Sequence, residues 1–189
     1  SSDDGVTWGS DTRLTNDGLI SIRPSLAVSG LIVHLVWYDT RNGNEEIYYK
    51  RSSDGGVNWG SDTRLTTNAN NSILPSVSSL GPIVNIVWID NRDGNYEVYF
   101  KRSTDAGISW EADTRLTNNT SVSLMASCVI SGSVVHVTWD DMRNGPNEIY
   151  YKRSTDDGNS WGADIRLTSN AGVSWFPSIG VSGSLVQVS

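Results

Sequence analysis

The chain has little of what many functional classes require. It has one cysteine among 189 residues, so no intrachain disulfide can form. Cys128, set in Ser-Cys-Val-Ile, reads as a small buried hydrophobe rather than a reactive thiol. There are two histidines, and no His/Cys/carboxylate cluster has zinc spacing. EF-hand loops and glycine-rich phosphate cradles are absent too, so no metal or cofactor is expected. Positive charge is scarce: 14 Lys and Arg against 21 Asp and Glu leave a net charge of −7. The basic residues are scattered rather than clustered, which argues against a nucleic-acid partner. No apolar run approaches the roughly 20 residues of a membrane-spanning helix, and no ten-residue window has a helical apolar period. A targeting segment is not visible, but the chain opens inside a repeat, so that observation is uninformative.

What the chain does have is an internal repeat. The phrase SSDDGVTW at 1–8 returns as SSDGGVNW at 52–59, STDAGISW at 103–110 and STDDGNSW at 154–161, always 51 residues on. In that register Trp37, Trp88 and Trp139 form a column. So do Asp39, Asp90 and Asp141; Arg41, Arg92 and Arg143; and Glu46, Glu97 and Glu148. Within a unit the pattern is strand after strand. PSLAVS (24–29) is short and small, and LIVHLVWYD (31–39) is apolar on both faces. EEIYYKRS (45–52) alternates, and SDTRLT (10–15) is short and polar. Gly and Asn-Gly separate the strands as hairpin turns require.

A four-stranded sheet whose second strand must be covered on both faces, repeated at this period, is the blade of a β-propeller. The expected fold is therefore all-β: a propeller of four-stranded antiparallel blades over 1–189 as a single domain. Three blades are complete and strands of a fourth are present. The stretch lacking from a fourth full unit corresponds to residues 37–51, its third strand included. A fragment of a larger propeller, self-association through open blade edges, and an omitted tail all remain open.

The phrase S-x-D-x-G-x-x-W resembles the Asp box of the sialidase-like (BNR repeat) propellers, and its four copies span the whole chain. The resemblance implies a structural turn between the third and fourth strands. Ser1, Asp3, Gly5 and Trp8 would form the first copy, and Ser52, Asp54, Gly56 and Trp59 the second. Ser103, Asp105, Gly107 and Trp110 would form the third, and Ser154, Asp156, Gly158 and Trp161 the fourth. Ser and Asp would cap backbone N–H groups, Gly would permit the turn, and Trp would pack between blades. It also implies an extracellular or cell-surface setting.

Chemistry is sought on the face of the 4→1 and 2→3 loops, where the resemblance places sites. The 2→3 loops carry Asp39 with Arg41, Asp90 with Arg92, and Asp141 with Arg143. These arginines could grip an anionic ligand, or pair with carboxylates of their own or neighbouring loops. Their presence in every blade favours the second reading. The 4→1 loops differ between blades: Arg23 stands where Leu74, Met125 and Phe176 stand elsewhere, and Trp175 replaces Ile22, Ile73 and Leu124. An exposed Trp and a lone Arg would suit a sugar or peptide; local packing is the alternative. His34 and His136 share a column with Asn85 and Gln187, which reads as hydrogen bonding between blades.

The family's enzymes use three arginines from unlike positions, a Tyr–Glu pair, an Asp acid/base and an Arg-Ile-Pro motif. Here the nearest match is Ile22-Arg23-Pro24, in the wrong order, the loop arginines are symmetry mates, and no irregular insertion carries an acid/base Asp. The expectation is a non-catalytic recognition or scaffold module for a glycan or protein ligand. The alternative is a fragment of a sialidase-like glycoside hydrolase whose catalytic blades lie elsewhere.

Overall fold

A computed structural model describes residues 1–189 except Ser2, Asn170 and Ala171. Among the described residues there is no helix. The first sheet is built from β1 (Ser21–Ser29), β2 (Ile32–Asp39), β3 (Glu46–Ser52) and β4 (Thr63–Arg64), in that spatial order and antiparallel throughout. The second repeats it with β5 (Ser72–Leu80), β6 (Ile83–Asp90), β7 (Glu97–Ser103) and β8 (Thr114–Arg115). The third uses β9 (Ser123–Ser131), β10 (Val134–Asp141), β11 (Glu148–Ser154) and β12 (Ile165–Arg166). A two-stranded sheet of β13 (Ile179–Ser182) and β14 (Leu185–Val188) completes the described structure.

These are propeller blades, and they stack because β2, β6 and β10 cannot be left bare. Each of these strands is buried along nearly its whole length. One face of the first blade (Val36, Tyr38, Ile47, Tyr49) packs on Val84, Ile86, Trp88 and Tyr99 of the second. The second blade's other face (Val87, Ile89, Val98, Phe100) packs on Val135, Val137, Trp139 and Tyr150 of the third. The small-residue strands β1, β5, β9 and β13 touch one another in sequence, so they line the inner side of the arc.

The outermost strand is slighter than the sequence pattern promises. Each of β4, β8 and β12 is two residues long, and the segment 8–15 forms no strand. A fourth strand exists only through its ladder to the third, as Tyr48 and Tyr49 pair with Arg64 and Thr63, and 8–15 has no such ladder. Leu14 packs instead beside Leu35, Trp37 and Tyr48. Its carbonyl accepts a bond from Lys50 Nζ at 2.6 Å, just as Leu65 O does from Lys101 at 3.1 Å.

The S-x-D-x-G-x-x-W turns form as hydrogen-bonded caps. In the third copy Gly107 N donates to Ser103 Oγ at 2.8 Å and Ser109 N to Asp105 Oδ1 at 2.8 Å. Bonds from the Ser109 hydroxyl and N–H hold the Asp105 carboxyl down at about 2. Two of the tryptophans reach across to the preceding blade: Trp110 meets Tyr49 edge-on at 5.0 Å, and Trp161 meets Phe100 at 5.0 Å, while Trp59 packs beside Leu35, Trp37 and Tyr48 of its own blade. Trp8 meets no preceding blade and is 79% exposed.

The histidine column differs from expectation. His34 Nδ1 bonds Tyr49 Oη at 2.8 Å and His136 Nδ1 bonds Tyr151 Oη at 2.7 Å, each within its own blade. The reason is register: His34 and Tyr49 lie on the paired strands β2 and β3. Burial lowers both histidine pKa values, that of His34 to about 4. Asn85 lies in a blade whose own third strand has Phe100 in place of that tyrosine, and its amide has no hydrogen-bond partner.

Glycine in the turn meets two separate demands. Gly107 has φ +82°, and a Cβ there would lie 2.0 Å from Tyr49 Oη, a ring pinned by His34 and Trp110. Gly5 has φ +86° but its Cβ would meet only Trp8 at 4.0 Å. Gly5→Ala therefore reports backbone strain alone, about 1–2 kcal/mol. Gly107→Ala is expected to cost a further 1–3 kcal/mol from overpacking the blade contact. Equal losses in parallel urea melts would refute that role of the glycine in blade packing.

Candidate functional site

The 4→1 and 2→3 loops share one end of the blades, tied by backbone bonds such as Ser72 N to Glu45 O and Ser123 N to Tyr96 O, both 2.8 Å. The S-x-D-x-G-x-x-W turns and the 1→2 turns share the other, through bonds such as Ala106 N to Pro82 O at 2.8 Å.

The repeated arginines are held in closed arrangements. Asp90, wholly buried, accepts from Trp88 Nε1 at 3.0 Å, Ser72 Oγ at 2.8 Å and Arg92 N at 2.9 Å. The Arg92 guanidinium grips that carboxylate at 2.7 Å, reaches Asp113 at 2.7 Å and lies 4.4 Å over the Tyr99 ring. Arg41 does the same with Asp39, Asp62 and Tyr48, adding Asp17 at 2.7 Å. Arg143 repeats it with Asp141, Asp164 and Tyr150. Burial alone would raise the Asp39, Asp90 and Asp141 pKa values, but these bonds, chiefly from the arginine, hold all three below the ordinary range. The Glu46, Glu97 and Glu148 column pairs instead with Arg64, Arg115 and Arg166.

Arg23 is the contrast. It is exposed and, among the described residues, has no carboxylate partner. It belongs to a column with an unusual backbone: Arg23, Leu74, Met125 and Phe176 have φ of 55°, 54°, 51° and 56°. In the three complete blades this residue falls in a register shift of the first strand. The left-handed conformation costs a non-glycine residue about 1–2 kcal/mol, and here it turns four aligned side chains toward one place. With Pro24, Pro75, Ala126 and Pro177 they line a cavity of about 230 Å³ at the mouth of the axis.

Beside it, sharing Met125 and Phe176, is a second cavity of about 220 Å³, lined also by Leu124, Asp140, Asn147 and Trp175. Trp175 is 56% and Phe176 62% exposed, their rings perpendicular with centroids 6.4 Å apart. Asp140 is the residue that the sequence pattern did not single out. It sits in a strand, not an insertion, with 2% of its surface exposed. Asn147 Nδ2 donates to its Oδ2 at 3.1 Å, while Oδ1 has no hydrogen-bond partner. Burial raises its pKa to about 6; the nearby Phe176 N–H opposes this and the Asp141 charge adds to it. The available signal was the column Tyr38, Ile89, Asp140, where a carboxyl replaces large apolar side chains.

A larger cavity, about 460 Å³, lies on the first blade among Leu14, Leu26, Leu35 and Trp37. It corresponds to the surface that the second and third blades bury against their predecessors. Among the described residues no group of three or more His, Cys, Asp or Glu could hold a metal ion, and no helix is long and apolar enough to cross a membrane.

Solved structures share this architecture. Trypanosoma rangeli sialidase superposes with a TM-score of 0.64 at 15% identity, over 90% of this chain and 34% of its own. The chain folds as an arc of a sialidase-like β-propeller. A mutant of that enzyme displaying trans-sialidase activity matches at TM-score 0.64 and 17% identity, over 89% of this chain and 33% of its own. The catalytic domain of a Coprinopsis cinerea GH62 α-L-arabinofuranosidase matches at TM-score 0.54 and 11% identity, over 85% and 55%. The chain thus spans about a third of the sialidase and about half of the arabinofuranosidase domain. At the level of sequence, no family profile and no curated protein matches it.

The pairing pattern separates structural from available groups. Arg92→Ala leaves Asp90 buried without its counter-ion and is expected to cost about 2–4 kcal/mol, against less than about 0.5 kcal/mol for exposed Arg23→Ala. Chemical denaturation measures both. For Asp140 the folded pKa is raised, so folding carries a penalty at neutral pH that fades as pH falls from about 6 toward 4. Asp140→Asn is therefore expected to raise the melting temperature at pH 7.5 and to leave it nearly unchanged at pH 4. A gap that persists at pH 4 would contradict the assignment.

Proposed function

We propose that this chain is a non-catalytic recognition module that takes a glycan or protein ligand at the mouth of the propeller axis. Trp175, Phe176 and Met125 form the contact surface and Arg23 stands at its rim. One observation supports this most: departures from an otherwise regular repeat collect around one pair of adjoining cavities. The regular charged groups, meanwhile, are engaged with one another. Exposed aromatics supply contact area at low entropic cost, and an unpaired arginine supplies directional donors. An extracellular or cell-surface protein is the natural setting for such a module.

A second reading is favoured by the coverage: the chain would be part of a sialidase-like glycoside hydrolase completed by further blades. A carboxyl titrating near 6 is the chemistry of a general acid. Glycosidases of the common types pair that acid with a second carboxylate roughly 5–9.5 Å away, and no other carboxylate lines the Asp140 cavity. Further blades would have to supply it.

The two readings part experimentally. The module is expected to be retained on a glycan or peptide array, to lose retention with Trp175→Ala, and to release no fluorophore from sialoside or arabinofuranoside substrates. Turnover of either substrate by this chain alone would replace the first reading with the second.

A further inference from the structure

The third inter-blade junction breaks the pattern of the first two. At the first, Tyr38 packs with Ile73 and Leu74. At the second, Ile89 and Tyr96 pack with Leu124. At the third the aligned residues are Asp140 and Asn147, opposite Trp175 in place of Ile or Leu, and the junction holds a cavity. Three columns change together around one space. A buried carboxyl in place of isoleucine is costly by itself, so the set is better explained by a ligand than by packing.

The chemistry of that ligand follows from what is left unpaired. Asp140 Oδ1 is a buried acceptor with no well-formed hydrogen bond, the Phe176 N–H lying near the carboxyl, and among the described residues no cation pairs with the carboxyl. The remaining walls are Leu124, Met125 and the two perpendicular aromatic rings. A single acceptor on an apolar wall suits one concentrated donor on an apolar stem. A sugar ring, with hydroxyls all round, would leave several unpaired there. At about 220 Å³ the cavity is below the roughly 300–1,000 Å³ of whole-ligand pockets, which fits one side chain. Aromatic faces attract a cation, and the net charge of −7 favours a basic partner.

We propose that this cavity receives a primary alkylammonium group, the tip of a lysine side chain on a protein partner. Asp140 Oδ1 is its counter-ion, and Trp175 and Phe176 are the flanking walls. Asn147 is a positioning residue that orients the carboxylate through Oδ2. This rests on the recognition reading of the axis mouth and names the ligand chemistry there.

The test is an NMR titration following the Trp175 indole N–H, assigned by its loss in Trp175→Phe. The probes are Nα-acetyl-lysine methylamide, its Nε-acetylated form, the norleucine analogue, glucosamine and glucose. The lysine probe is expected to give a saturating shift, with at least tenfold weaker binding by the Nε-acetylated and norleucine compounds. Asp140→Asn and Asp140→Ile should weaken it by a similar factor. The second restores the residue of blade two and should fold at least as stably as the parent. No saturating shift, equal binding by the Nε-acetylated probe, or unchanged affinity in Asp140→Ile overturns the proposal. Binding of glucosamine but not glucose or lysine keeps the ammonium chemistry and overturns the protein partner. Binding of glucose alone overturns the ammonium assignment, while Trp175-dependent array retention would still support the recognition module.

Discussion

A buried carboxylate at the end of the second strand organises every complete blade. Asp39, Asp90 and Asp141 each accept from the strand's own tryptophan, from the serine that opens the first strand after the 4→1 loop, and from the backbone and guanidinium of the arginine two residues on. An isolated buried charge is expensive, so this residue is tolerable only where all those donors converge. That requirement couples the core, the two loops of the site face and, through Asp62, Asp113 and Asp164, the outer strand. Releasing the arginine would leave the buried carboxylate without its cation, and Asp62, Asp113 and Asp164 with only Lys50, Lys101 and Lys152.

The same constraint explains why the repeat is so regular and where it can afford not to be. Positions bound into the network keep their residue in each blade. Positions lining the axis mouth do not enter it, and there Arg23, Leu74, Met125 and Phe176 vary on one shared left-handed backbone. A fixed, strained main chain carrying variable side chains is how a scaffold presents a surface without risking its core. The Asp140 junction goes further, because a core position itself has become polar.

Blade architecture was legible from spacing because period-2 alternation and turn residues are local, and the 51-residue interval exposes them repeatedly. The double-sided burial of LIVHLVWYD announced that blades must stack. The pairing of Arg41, Arg92 and Arg143 was only half legible. Asp39, Asp90 and Asp141 stand two residues away, but the second partners lie 21 residues on, brought near by the hairpin. Histidine bonding was misplaced for the same reason, since Tyr49 and Tyr151 lie 15 residues from their partners on a neighbouring strand.

By itself the sequence determined the fold class, the strand order and the turn chemistry, because each depends on contacts between near neighbours or on a repeated pattern. Only the tertiary structure decided which residues form a site. Asp140, in β10, and Trp175, in the segment before β13, are 35 positions apart, and either alone reads as an ordinary substitution. Stacking the third blade against the two-stranded sheet after it removes water from the carboxyl, leaves one oxygen without a well-formed hydrogen bond and sets two aromatic rings beside it. Desolvation is a property of assembled surfaces, and no local pattern in the chain encodes it.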